Sequence, residues 1–321
     1  MRIRTLAFVA AAATLAVVTS TVPEAATAPF GRIVVFGTSL SDSGNAFALW
    51  GAANTPPDYL LDPLLVPSAP YAHGGHHFSN GATWVEQFAR SIGLAGSVRP
   101  AFVGSNPHAT NFAVGAARAH DDGINVNLAA QVAAFLQQSG GVAAAGDLYV
   151  IEMGGNDIRD ALVAYSSGRD GGAILHAANV SIATAIQTLY AVGARKFLVW
   201  RAPNIGLTPA LRTLDDRSPG AAHFATQLTD GFNAGLDSVV AQLTALPGID
   251  IARLDAYRLI GGLVDRPDAF GLTNVTSACI TPNTAPFICE RPDEFLFWDG
   301  IHPTKAVHTI TAQEAAHALA R

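Results

Sequence analysis

The chain has 321 residues, 14% of them charged and 50% hydrophobic, with a formal charge of −6 at pH 7. An acidic chain with no Lys or Arg run excludes nucleic acid and anionic membrane surfaces as electrostatic partners. About 290 residues remain after a cationic and then apolar N-terminus, enough for a sizeable core.

Met1-Arg2-Ile3-Arg4 is followed by an uncharged apolar run over residues 6–18 and by small residues at Ala25, Ala26 and Ala28. That is the form of a secretory signal peptide, so residues 1–28 are expected to be a leader and 29–321 one domain. The product is then secreted or periplasmic. The apolar run is short for a membrane span, and no other stretch is long enough, so no stable membrane insertion is expected.

Residues 33–37, Ile-Val-Val-Phe-Gly, read as a buried parallel strand that stops at a glycine. Ser39 follows at the mouth of a polar turn, where open α/β sheets place their ligands. A short helix is expected over 43–50, with Asp42 placed to cap it. Residues 51–75 are rich in Pro, Gly and Ala and contain Leu64, Leu65 and Tyr71. That segment is either a substrate-binding loop or a surface excursion packed by its own leucines. His73, His76 and His77 read as a polar loop rather than a metal site, and an amphipathic helix is expected from residue 83.

Gly115 falls in Asn-Phe-Ala-Val-Gly-Ala-Ala, residues 111–117, where a glycine lets backbone approach a ligand. A helix is expected over 128–138, then a buried strand over 147–153 ending in Gly154-Gly155-Asn156-Asp157. Asn156 can donate to developing negative charge, and Asp157 is placed to cap a helix beginning at residue 158. Further helices are expected over 174–192, 218–246, 255–263 and 304–320, with strands over 196–200 and 249–254. Residues 264–292 read as a loop. Cys279 and Cys289, in a chain read as exported, are expected to pair directly before Asp299 and His302. Alternating strands and helices predict a three-layer α/β/α sandwich around a parallel sheet of about five strands.

Phe36-Gly37-Thr38-Ser39-Leu40-Ser41-Asp42-Ser43-Gly44-Asn45, the Asn-Phe-Ala-x-Gly-Ala block, Gly155-Asn156-Asp157 and Phe297-Trp298-Asp299-x-x-His302-Pro303-Thr304 occur in this order. Together they resemble the GDSL family, or SGNH hydrolases: secreted esterases and lipases. The resemblance implies a flavodoxin-like strand order, no cofactor and no metal. It implies a catalytic Ser39, Asp299 and His302, with the Ser39 amide, the Gly115 amide and the Asn156 side chain as oxyanion donors. The blocks look most like the secreted lipase and lecithinase group, implying a small-molecule or lipid ester as substrate. Two departures stand out: Thr38 replaces the usual Asp, and His77 replaces an Arg before Phe78-Ser79-Asn80-Gly81. The alternatives are a carbohydrate acetylesterase of the same fold and a binding protein weakened in catalysis at Thr38.

Overall fold

The computed structural model describes residues 29–321; the expected leader lies outside them. Four parallel strands form the main sheet in the order β1 (Ile33–Gly37), β2 (Leu148–Glu152), β3 (Lys196–Arg201) and β4 (Asp250–Asp255). On the far side of β1 the segment around Asn111 takes the place of a fifth strand. Val35 N–H donates to the Thr110 carbonyl at 2.9 Å, and Phe112 N–H to the Val35 carbonyl at 2.8 Å. Pairing is parallel but too irregular to count as a strand, so the flavodoxin-like order is present with one frayed edge.

A parallel sheet is covered on both faces, so alternate residues of each strand enter different cores. Val34, Phe36, Tyr149, Ile151, Phe197 and Val199 face one side. That side is covered by α3 (Leu128–Gln138), α4 (Gly155–Ser166), α5 (Gly171–Ala191) and α7 (Ala221–Leu243). Ile33, Val35, Leu148, Val150 and Leu198 face Trp84, Val85 and Phe88 of α2 (Trp84–Ser91) and Ala312 and Ala315 of α9 (Lys305–Leu319). Each Val, Leu, Ile or Phe among them contributes about 1.5–3 kcal/mol on burial. A one-residue slip of β1 would exchange the two sets.

Several boundaries differ from expectation. Helix α1 (Asn45–Trp50) begins two residues late because Asp42 folds back over its start. A short α6 (Pro209–Asp215) follows β3 after a one-turn 3₁₀ segment, with Thr208 capping it. Helix α8 (Ala256–Asp265) closes β4. The expected loop over 264–292 contains β5 (Asn274–Ala278), which pairs with β6 (Phe295–Phe297) in a separate small sheet. Cys279 and Cys289 form a disulfide immediately after β5. Cys279 N–H donates to the Phe297 and Trp298 carbonyls at 3.0 and 3.1 Å, so the bridge is tied to the segment preceding Asp299.

Candidate active site

Ser39 sits two residues beyond β1, in a turn gripped from several directions. The Gln131 side chain accepts from Gly37 N–H at 2.8 Å and donates to its carbonyl at 2.9 Å, fixing the strand end. Glu152, at the end of β2 and level with Gly37, accepts from Thr38 N–H at 2.9 Å and from the Thr38 hydroxyl at 3.0 Å. Ser41 N–H closes the turn on the Thr38 carbonyl at 3.1 Å. The Trp84 indole N–H donates to the Ser41 hydroxyl at 2.9 Å. A hydroxyl held this way would need little reorganisation to act as a nucleophile.

His302 and Asp299 come from the turn after β6. The Gly300 amide donates to the Leu65 carbonyl at 2.9 Å, and a Cβ at Gly300 would lie 2.1 Å from the Leu64 carbonyl oxygen, so only glycine allows this approach. The 51–75 segment thus buttresses the Asp299–His302 turn. His302 Nδ1 lies 2.7 Å from Asp299 Oδ2, and His302 Nε2 lies 2.8 Å from Ser39 Oγ. The other Asp299 oxygen accepts from the Ile301 and His302 amides at 2.9 and 2.8 Å. All three residues are buried, and the Phe78 ring packs 5.3 Å from the His302 ring.

Tyr71 is a partner the motif reading did not find. Its hydroxyl donates to Asp299 Oδ2 at 2.9 Å from a buried ring packed edge-on against Trp298. Burial, then the Asp299 charge, hold the phenol well above its usual range, so it stays a donor. Tyr71→Phe is expected to lower kcat about tenfold and stability by about 1–2 kcal/mol, read by ester hydrolysis and thermal melting. Unchanged kinetics would make this bond structural only.

The three expected oxyanion donors do not fare alike. Asn156 lies in the first turn of α4, its Nδ2 donating to the Ala117 carbonyl at 2.9 Å and its Oδ1 accepting from Arg159 Nη1 at 3.1 Å. One Nδ2 proton remains for a ligand. Among the described residues the Ser39 amide has no hydrogen-bond acceptor. The Gly115 amide, by contrast, donates to Asp42 Oδ2 at 2.8 Å. Asp42 also accepts from the Gly44, Asn45 and Ala46 amides, so it is an anchor that consumes the expected donor. What position 115 requires is the absence of a side chain: a Cβ there would lie 2.3 Å from the Phe78 ring. The next residue, Ala116, has φ 63° and an amide with no acceptor among the described residues. Asp157 also differs from expectation: its carboxylate holds the Ala119 and His120 amides and the His120 ring rather than capping a helix.

Burial pushes the Glu152 carboxyl up to about 7, against the pull of Thr38 and Ser41. Burial likewise raises Asp42 to about 6, against its four amide donors. Between the ordinary value of 4.5 and about 7, folded Glu152 holds a proton that the unfolded chain has released. Stability therefore falls as pH rises through that window, by about 3 kcal/mol at most from this group. Glu152→Gln is expected to flatten the fall of melting temperature between pH 5 and pH 7.5 relative to the parent; parallel curves would refute the assignment. Thr38→Asp would set a second carboxylate beside Glu152 and cost about 2 kcal/mol, with Glu152→Gln restoring most of it. A double-mutant melting cycle reads this directly.

The Ser39–His302 pair opens into a cleft of about 930 Å³, mouth included, whose lining includes Leu40, Trp200, Ile205, Leu211, Leu259 and Ile260. His308 also lines it, but burial pushes its pKa down to about 3 and its Nδ1 accepts from Trp84 N–H, so it is a poor base. His77 lies between the Gly74 carbonyl and Glu86, each 2.8 Å from a ring nitrogen. Burial lowers its pKa, but the bond to Glu86, the Glu86 charge, the Gly74 carbonyl and the Asp42 charge together outweigh that and raise it. Among the described residues no group of three or more His, Cys, Asp or Glu is placed to hold a metal, and no helix is long and apolar enough to cross a membrane.

A hydroxyl, an imidazole and a carboxylate in hydrogen-bonded series at the carboxyl edge of a parallel sheet form the arrangement of a serine-hydrolase site. The chain belongs to the GDSL-like lipase/acylhydrolase family, whose model matches residues 33–315. Two Arabidopsis thaliana proteins named GDSL esterase/lipase are 24% and 25% identical to it. The alignments span 88% and 92% of this chain and 84% and 87% of theirs. Other Arabidopsis thaliana relatives match over a part only: the chain spans about a third to a half of the length of two further GDSL esterase/lipases. Among solved structures, an extracellular lipase from Streptomyces rimosus aligns with TM-score 0.40 and 15% identity, over 88% of this chain and 99% of that one.

Proposed function

We propose that this protein is an exported serine esterase that cleaves carboxylic esters through an acyl-enzyme. The observation that carries the reading is the Ser39–His302–Asp299 series at 2.8 and 2.7 Å. His302 removes the Ser39 proton as the hydroxyl attacks the ester carbonyl, and Asp299 stabilises the resulting imidazolium. The oxyanion is met by the Ser39 amide, Asn156 Nδ2 and a third backbone amide. Since Gly115 N–H is engaged by Asp42, Ala116 N–H takes that part. His302 returns the proton to the leaving alcohol, then activates the water that releases the acyl group.

The apolar cleft supports an acyl chain rather than a sugar ring as the group bound beside Ser39. Export is supported by the leader-like N-terminus and by the disulfide, a bond rare in reducing compartments. A panel of para-nitrophenyl esters from acetate to palmitate, run beside phosphatidylcholine and acetylated xylan, tests the substrate class. Hydrolysis of medium or long acyl esters is expected; activity on acetylated xylan alone would overturn the acyl-chain reading. A weakened binding protein would leave Ser39 unlabelled by a fluorophosphonate.

A further inference from the structure

Arg159 is out of place in this cleft. It stands one turn along α4 from Asn156 and lines the same largely apolar space as Ser39 and His302. Its guanidinium makes one hydrogen bond among the described residues, from Nη1 to Asn156 Oδ1 at 3.1 Å. Among the described residues no carboxylate lies within ion-pair distance of it, whereas neighbouring Arg118 is 2.8 Å from Asp160 and 3.3 Å from Asp122. A guanidinium has five N–H donors in a planar fork suited to carboxylate or phosphate, and four here are uncommitted to a side chain. The side chain is half-buried; burial lowers its pKa while the charges of Asp160, Asp62 and Asp299 pull the other way, so it remains a cation without a directly paired carboxylate. A partly desolvated cation without a paired carboxylate carries a cost, and a neutral polar side chain would hold Asn156 Oδ1 without it.

We propose that Arg159 is an anion-recognition residue of the cleft, selecting amphiphilic esters that carry a carboxylate or phosphate near the scissile bond. The inference rests on the ester-hydrolase reading and deepens it. The apolar lining takes the acyl chain, and Arg159 takes the anionic group with up to two parallel N–H bonds. Because the same guanidinium holds Asn156 Oδ1, seating the anion also fixes the oxyanion donor, coupling recognition to rate.

The test compares two pairs of soluble esters. One pair is para-nitrophenyl butyrate and the mono-para-nitrophenyl ester of glutaric acid, which differ by a carboxylate. The other is monohexanoylglycerol and its phosphate, below their aggregation limits. In the unaltered protein the anionic member of at least one pair should have kcat/KM about tenfold above its neutral partner. Arg159→Gln should lower both members through Asn156 but collapse that ratio about tenfold, while Arg159→Lys keeps most of it. A ratio lost in the glutarate pair alone assigns the anion to the acyl side; loss in the phosphate pair alone assigns it to a lipid headgroup. Unchanged ratios in both pairs would overturn the proposal, leaving Arg159 as a positioning residue for Asn156. Inhibition of butyrate hydrolysis in the unaltered protein is a check independent of the variants: hexyl phosphate or glutarate should inhibit about tenfold more tightly than hexanol or butyramide, and equal inhibition refutes the site. Failure to hydrolyse any of the four esters would instead sink the hydrolase reading itself.

Discussion

Ser39→Ala is expected to lower kcat for para-nitrophenyl butyrate by about 10⁴–10⁶-fold and to abolish fluorophosphonate labelling, with little change in melting temperature. The size follows from what the hydroxyl does. Its oxygen lies 2.8 Å from His302 Nε2, and among the described residues no other group bonds that nitrogen to replace it as the proposed nucleophile. The Ser39 turn is held through Gly37, Thr38 and Ser41, none of whose bonds involves the Ser39 hydroxyl. Loss of activity with a preserved fold is therefore the specific outcome. A Ser39→Ala protein that still turned over at a hundredth of the parental rate would place the chemistry elsewhere.

Asn156→Ala is expected to lower kcat by about 10²–10³-fold while changing KM little, the pattern of a donor used mainly in the transition state. The Asn156 side chain is fixed at both ends, by the Ala117 carbonyl and by Arg159, so its remaining proton is aimed before substrate arrives. Gly115→Ala makes the contrast. It keeps the amide but drives a methyl group into Phe78, which packs on the His302 ring. That variant should lose stability in step with activity, whereas Asn156→Ala should lose far more activity than the about 1–2 kcal/mol of stability held in its bond to the Ala117 carbonyl. If Asn156→Ala raised KM and left kcat intact, the carboxamide would be a ground-state binding group.

How much of this the sequence carried follows from how local each signal is. Ser39 and Asn156 sit where an expected strand ends, and short apolar runs closed by Gly, Asn or Asp mark such ends within one stretch of chain, while the Asp299/His302 pair is marked by its own three-residue spacing. The two-faced sheet was legible because β1 and β2 are apolar at every buried position but Glu152, the last residue of β2. Tyr71, Glu152 and Gln131 were not. Each acts through a bond to a residue roughly 90 or more positions away, and nothing in its neighbours announces that. Gly115 was singled out for its amide, which donates to Asp42, a residue whose local sequence suggested a helix cap, and the position itself demands glycine because of the Phe78 ring. The small β5–β6 sheet was missed because Asn274–Ala278 is short, half exposed and without alternation.

Nucleophile and base stand 263 positions apart, and the segment bearing the base is also the one that brings α9 against α2. Closing so wide a circuit is entropically late in any folding order. During synthesis, which runs from the N-terminus, most of the chain can collapse into its layers while the serine still lacks an imidazole. On the proposed reading, hydrolysis therefore waits until the segment bearing His302 has been made and has docked on the sheet.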